Sequence, residues 1–268
     1  MSKTILLAGK DSEDCGKFID GLLLSSRQAA VTGKINTVDW DSKKTQTEKK
    51  ADTGAFDEEK TKQAESGLCS FEWIKSSALS ARNIVLETEN YFSSIDETLL
   101  YFDEEFFASR SGKVDAEEIA RTCDEMILGF QYLTYEILSR YERKFNGSPR
   151  TLVFILKECP SVVDVFRSPG LRDGKTAVAS PVISAAAGAF TAFAENIAAA
   201  YGDESYINII LVRGDSSMEE TKREETFSKW LCSYMDEIES GQKLSAKKSV
   251  QWVKPGSRKS SGFNFFRR

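Results

Sequence analysis

The sequence predicts an α/β protein: a doubly wound parallel sheet flanked by helices, forming a three-layer α/β/α sandwich. Three observations lead there. Short apolar segments at 4–8, 151–156 and 207–212 are of the kind buried on both faces of a parallel sheet. Stretches with apolar residues at three- and four-residue spacing lie between them. The alternation of the two continues along most of a 268-residue chain, which is long enough for a sizeable core.

Taken in order, residues 4–8 form a first strand and 17–24 a helix, joined by Gly9-Lys-Asp-Ser-Glu-Asp-Cys-Gly16. A second strand spans 29–34. Residues 35–67 are polar and mixed in charge, too poor in apolar side chains to order themselves strongly, and are expected to form a solvated insertion. Residues 70–74 supply a third strand, 79–91 a helix, and the segment from Ile95 to Asp103 follows. A long amphipathic helix is expected over 116–145, with Ile119, Met126, Ile127, Phe130, Leu133 and Ile137 on its apolar stripe. After the strand at 151–156, Ser180 and Pro181 suit the cap and first turn of an Ala-rich helix over 182–200. The strand 207–212, a helix over 218–239 and a last strand at 249–253 complete a domain expected to span 1–256. A basic and aromatic tail, 257–268, follows it.

Composition narrows the function. A formal net charge of -5 argues against a general nucleic-acid binder. The absence of histidine excludes His-based acid–base catalysis and His metal sites. Cys15, Cys69, Cys123, Cys159 and Cys232 are scattered, odd in number and without CxxC spacing. They suit reduced thiols in a cytoplasmic protein. No apolar run is expected to reach the length of a membrane span, and the start MSKTILLAG lacks a signal-peptide core.

The order of elements, with the 95–99 and 184–210 segments, resembles the short-chain dehydrogenase/reductase family, whose fold is Rossmann-like. The resemblance implies a glycine-rich first turn holding a dinucleotide pyrophosphate at a helix N-terminus. Here Gly9 and Gly16 stand at the ends of that turn, with Asp11, Glu13 and Asp14 between them. Lys34, after the second strand, is the candidate contact for the 2′-phosphate of NADP. Leu100-Tyr-Phe-Asp103 replaces the small Asn-Asn-Ala-Gly that would lie beneath the cofactor, and its large side chains are expected to fill that space.

The family's catalytic positions all depart. Met126 stands for the asparagine and Lys157 begins the stretch where the serine is expected, with Cys159 and Ser161 nearby. Ile183 and Ala187 stand for the Tyr-x-x-x-Lys pair, and no such pair exists in 178–201. Tyrosine donates the proton in that chemistry and lysine lowers its pKa, so no catalytic residue is assigned. The resulting expectation is a catalytically inactive scaffold, regulatory or oligomerisation module, a pseudoenzyme, with no cofactor, or NADP if any. The alternative is an NADP-dependent oxidoreductase using substitute groups such as Tyr101 or Lys157. The resemblance further implies a homodimer or homotetramer built through the helices 116–145 and 182–200. The insertion 35–67 and the tail 257–268 are possible contacts for a protein partner.

Overall fold

A computed structural model describes residues 2–10, 15–33, 67–110, 115–168, 170, 177–241 and 243–257. Seven strands form one sheet, in the order β3-β2-β1-β4-β5-β6-β7. They are β1 (Lys3–Ala8), β2 (Arg27–Thr32), β3 (Leu68–Phe71), β4 (Glu97–Asp103), β5 (Arg150–Glu158), β6 (Ile207–Asp215) and β7 (Trp252–Val253). Every neighbouring pair is parallel. The strand order reverses between β1 and β4, so the crevice where such sheets receive ligands lies outside their carboxyl ends.

Side chains alternate across each strand and split the core in two. Leu6, Leu100, Phe102, Phe154, Leu156 and Leu211 face one helical layer. That layer contains α2 (Ala78–Phe92), α5 (Gly129–Arg143) and α7 (Pro181–Tyr201). Leu7, Leu99, Tyr101, Ile155 and Val212 face the other layer. Here α1 (Gly16–Leu24) packs on α9 (Glu224–Glu239). The remaining helices are short: α3 (Glu104–Arg110), α4 (Ala116–Thr122), α6 (Val162–Arg167), α8 (Glu219–Lys222) and α10 (Ala246–Ser249).

The amino edge of the sheet is tied by charge. Arg27 Nη2 lies 3.1 Å from Glu97 Oε1 and 2.7 Å from Asp236 Oδ1, linking β2, β4 and α9. Lys3 joins the same carboxylates from β1. Ser180 caps α7 through the Ile183 N–H, with Pro181 in the first turn.

Several expectations need correction. The third strand is Leu68–Phe71: pairing stops before Trp73, which packs edge-on against Phe130. The long helix is interrupted by a π-helical stretch, Cys123–Leu128, between α4 and α5. The helix over 218–239 is two helices that break at Arg223. The last strand is only Trp252–Val253, since Ser249 closes α10 instead. Tyr101 and Phe102 are both fully buried. Their rings go to opposite faces of the sheet, Tyr101 against Phe18 and Phe102 against Phe107, Phe130 and Phe190. Finally, α7 is 21 residues long and holds an 18-residue stretch with a mean hydropathy of 1.4, long and apolar enough to cross a membrane by length and composition. In this fold Ile183, Phe190, Ala194 and Ile197 lay its apolar face on the sheet, as a core helix does.

At Gly21, α1 and α9 approach closely. A Cβ built there would lie 1.9 Å from Ser228 Oγ and 2.6 Å from the Glu225 carbonyl oxygen. The hydroxyl can rotate away, but the carbonyl belongs to the α9 backbone. Gly21→Ala is therefore expected to push α1 off α9 and to lower stability by about 1–3 kcal/mol, measured by chemical denaturation.

Candidate functional site

The carboxyl edge of the sheet carries a second set of ionisable groups. On the α1/α9 side, Asp103 ends β4 and lies opposite Lys157 of β5 in the strand register. Its Oδ2 lies 3.3 Å from Lys157 Nζ and 3.2 Å from the Nζ of Lys10, which follows β1. Asp103 is 1% exposed and Lys10 8%. One carboxylate thus bridges two buried ammonium groups and joins three strands. Glu224, at the start of α9, closes on Lys10, and Glu105 lies 3.0 Å from Lys157. Burial alone would lower both lysine pKa values. The facing carboxylates, Asp103 foremost, reverse that and hold both above the ordinary range. Lys10 Nζ also sits 5.7 Å over the Tyr101 ring.

Gly9 makes this arrangement possible. At φ +125° its backbone suits glycine, and a Cβ there would stand 2.2 Å from the Tyr101 carbonyl oxygen. The turn after β1 therefore lies directly on β4. Lys75 Nζ donates to the Gly9 carbonyl from the segment after β3.

On the other side of the same edge lies a cavity of about 410 Å³. Glu104, Glu158, Cys159, Ser161, Asp164, Ser184, Ala187, Gly188, Thr191, Glu195 and Arg213 are among the residues lining it. Most of the polar ones are committed. Arg213 lies 2.6 Å from Glu158, Asp164 closes a capping box with Ser161, and Glu195 accepts from the Trp252 indole N–H. Glu104 is 6% exposed, and its Oε2 accepts a 2.9 Å hydrogen bond from the Cys159 N–H. Burial lifts its carboxyl to about 7, and the Cys159 N–H and Arg213 offset that only in part. A carboxyl that changes charge near neutrality in an open cavity has the properties of a proton acceptor or donor. Burial also pushes the Cys159 thiol up to about 12, so it is not a thiolate nucleophile.

Most of the residues singled out in the sequence can now be placed. Gly9 and Lys157 belong to the ion bridge. Gly16 opens α1, with open space where a Cβ would be. Met126 is buried in the π-helical stretch. Ile183 is buried in the core, while Ala187 is nearly buried on the cavity wall. Tyr101 is fully buried, and its hydroxyl has no hydrogen-bond partner among the described residues. Lys34, Asp11, Glu13 and Asp14 lie outside the described residues, as do 35–66 and 258–268. No group of three or more potential metal ligands is found among the described residues. Glu104 and Glu158 were missed in the sequence. The signal was Asp103-Glu-Glu105 directly after an apolar strand, at the edge where such sheets bind ligands.

No family model matches the sequence, and no curated protein matches it. Solved structures do. A short chain dehydrogenase from Bacillus anthracis is 10% identical, with 94% of each chain covered and a TM-score of 0.57. A short-chain dehydrogenase/reductase from Serratia marcescens is 11% identical, with 95% of each chain covered and a TM-score of 0.54. An NADH-dependent reductase of alginate metabolism is 13% identical, covering 95% of this chain and 96% of its own, with a TM-score of 0.58. The chain has the short-chain dehydrogenase/reductase fold.

The raised carboxyl makes a prediction with a definite sign. Its folded-state value, about 7, exceeds the ordinary 4.5, so the fold favours the protonated form. The stability this confers is complete below pH 4.5 and is lost as pH rises through 7. Glu104→Gln keeps an acceptor for the Cys159 N–H without ionising. Denaturation curves should show it more stable than the parent by about 2 kcal/mol above about pH 8, after allowance for solvent in the cavity. The two should converge in acid.

Proposed function

We propose that the chain uses this fold without hydride transfer, as a non-catalytic scaffold that pairs with a second copy of itself. The observation that carries the proposal is the bridge Lys10–Asp103–Lys157. It spans the carboxyl ends of β1, β4 and β5, where a dinucleotide would lie. A pyrophosphate needs free N–H groups and positive charge. Lys10 is already held by Asp103 and Glu224, and those two carboxylates would repel the phosphates. The described residues therefore do not fit that guest, and no catalytic step is derived through it. Ile183 and Ala187 offer no proton at the helix position where the fold's chemistry needs one.

The alternative, an NADP-dependent oxidoreductase with substitute groups, would need Tyr101 or Lys157 to take over. The Tyr101 hydroxyl is sealed between α1 and α9, and burial pushes its pKa well above 10. Lys157 is held by Asp103 and Glu105. Neither is among the residues that line the cavity.

Support for pairing comes from the outward faces of α4, α5 and α7. Ile119 and Tyr135 are 47% and 54% exposed, and the Tyr135 ring meets Phe193 of α7 at 6.1 Å. This makes an apolar surface continuous across two helices, of the kind a twofold partner would cover.

NADPH and NADH titrated into the full chain, followed by thermal shift and nicotinamide fluorescence, should give no saturable response up to millimolar concentration. Saturable micromolar binding would overturn the non-catalytic reading and revive the oxidoreductase. Light scattering at micromolar protein should return the mass of a dimer, and a monomer at high concentration would remove the pairing.

A further inference from the structure

We infer that the cavity above β5 binds a small primary amine as its ammonium ion, with Glu104 Oε1 accepting an ammonium N–H. The inference rests on the reading that hydride transfer is not the chemistry of this edge, and it names what that edge takes instead.

Four carboxylates, Glu104, Glu158, Asp164 and Glu195, line the cavity against one guanidinium, Arg213. That guanidinium is already paired with Glu158. Glu195 and Asp164 have partners as described, which leaves Glu104. Its side chain is more than nine-tenths buried and lines the cavity. Oε2 is held by the Cys159 N–H, while Oε1 has no hydrogen-bond partner among the described residues. Oε1 keeps some exposure. An ionised carboxylate on so deeply set a side chain is still poorly hydrated, and a donor carrying positive charge is its complement.

Two other classes of guest fit less well. An anion would face an excess of carboxylates with no spare cation. A metal ion needs several ligands converging at about 2–2.6 Å, and no such group occurs among the described residues. The volume, about 410 Å³, takes a molecule of several heavy atoms. Beyond Glu104, the Ser184 hydroxyl lines the cavity and can meet a polar group. The walls at Leu156, Ala187 and Ala192 are apolar and suit a short alkyl chain. The expected guest is therefore a short alkyl ammonium with a hydroxyl or similar group at the far end.

Charge on Glu104 couples binding to pH. The groups facing it are Asp103 from β4, Glu158 from β5 and Cys159 just after it, Arg213 from β6, Asp164 from α6 and Glu195 from α7. The Cys159 thiol stays neutral below about 12. Ammonium prefers the ionised carboxylate, so affinity should rise about tenfold per pH unit between about pH 5.5 and pH 7, then level off.

The test is calorimetric titration of the full chain with three probes of equal length: 4-amino-1-butanol, 1,4-butanediol and 4-hydroxybutyrate. The amine should bind saturably with the pH profile just given, and the diol and the carboxylate should not bind. Glu104→Gln should weaken the amine at least tenfold and flatten its pH profile. Gly188→Leu is a second variant, since nothing lies within 4 Å of a Cβ at that helical position. Its side chain should fill the space and abolish binding without disturbing the fold. Equal binding of all three probes, a pH-independent amine affinity, or no amine binding at all would each overturn the inference. Loss of the amine with NADPH still silent would sink this inference alone. Saturable NADPH binding would instead sink the non-catalytic reading beneath it.

Discussion

Asp103 is the group on which the arrangement of this edge depends. It lies between two buried lysines, one just after β1 and one in β5, and its register partner across β4 and β5 is the latter. Removing a single partner from such a buried set typically costs about 3–5 kcal/mol, because the remaining charges lose their compensation. The bridge therefore holds the ends of β1, β4 and β5 at fixed separation. That is the place where an open doubly wound sheet usually stays loose enough to admit a ligand. The amino edge is clamped in the same manner by Arg27, Glu97 and Asp236. The apolar strands between the clamps supply the core, and the two ionic sets fix the ends.

The same edge shows how strand alternation assigns different tasks to neighbours. Tyr101 and Asp103 point to the α1/α9 side, while Phe102 packs on the α7 side and Glu104 opens α3 beside the cavity. Asp103 meets two ammonium groups. Glu104, one residue later, meets a backbone N–H and an open space, and its proton is held up to about pH 7. Two adjacent carboxylates thus differ in what they can do because a one-residue step changes their surroundings.

Much of the fold was legible because it depends on periodicity. Apolar segments bounded by turns marked β1, β5 and β6, and Ser180-Pro181 marked the start of α7. Boundaries were harder where local pattern and tertiary packing disagree. The 249–253 stretch carries strand-forming residues, yet Ser249 ends a short helix and only Trp252–Val253 reach β6. The π-helical stretch could not be read, since one apolar stripe fits both a continuous and an interrupted helix. Of the site, Gly9 was legible from its place after β1. Its neighbour Lys10 was seen only as a lysine among acids, because its partners Asp103 and Glu224 lie 93 and 214 positions away. Pairings so distant are settled by topology, which no local window contains.

Glu104 is also the residue whose identity is hardest to explain by stability alone. A glutamine there would keep the hydrogen bond to the Cys159 N–H and would carry no penalty for burying a charge. A leucine would extend the apolar wall already formed by Leu156 and Ala187. The chain instead has a carboxyl whose ionisation the fold opposes across the neutral range. Its second oxygen has no hydrogen-bond partner among the described residues. Groups that cost stability without a structural return concentrate where a protein meets something outside itself. Asp103 is different: its charge is answered within the chain, and the strands beside it are held in place as a result. The bridge thus answers the charge on one half of this edge, while the carboxyl on the other half keeps one oxygen without a partner among the described residues.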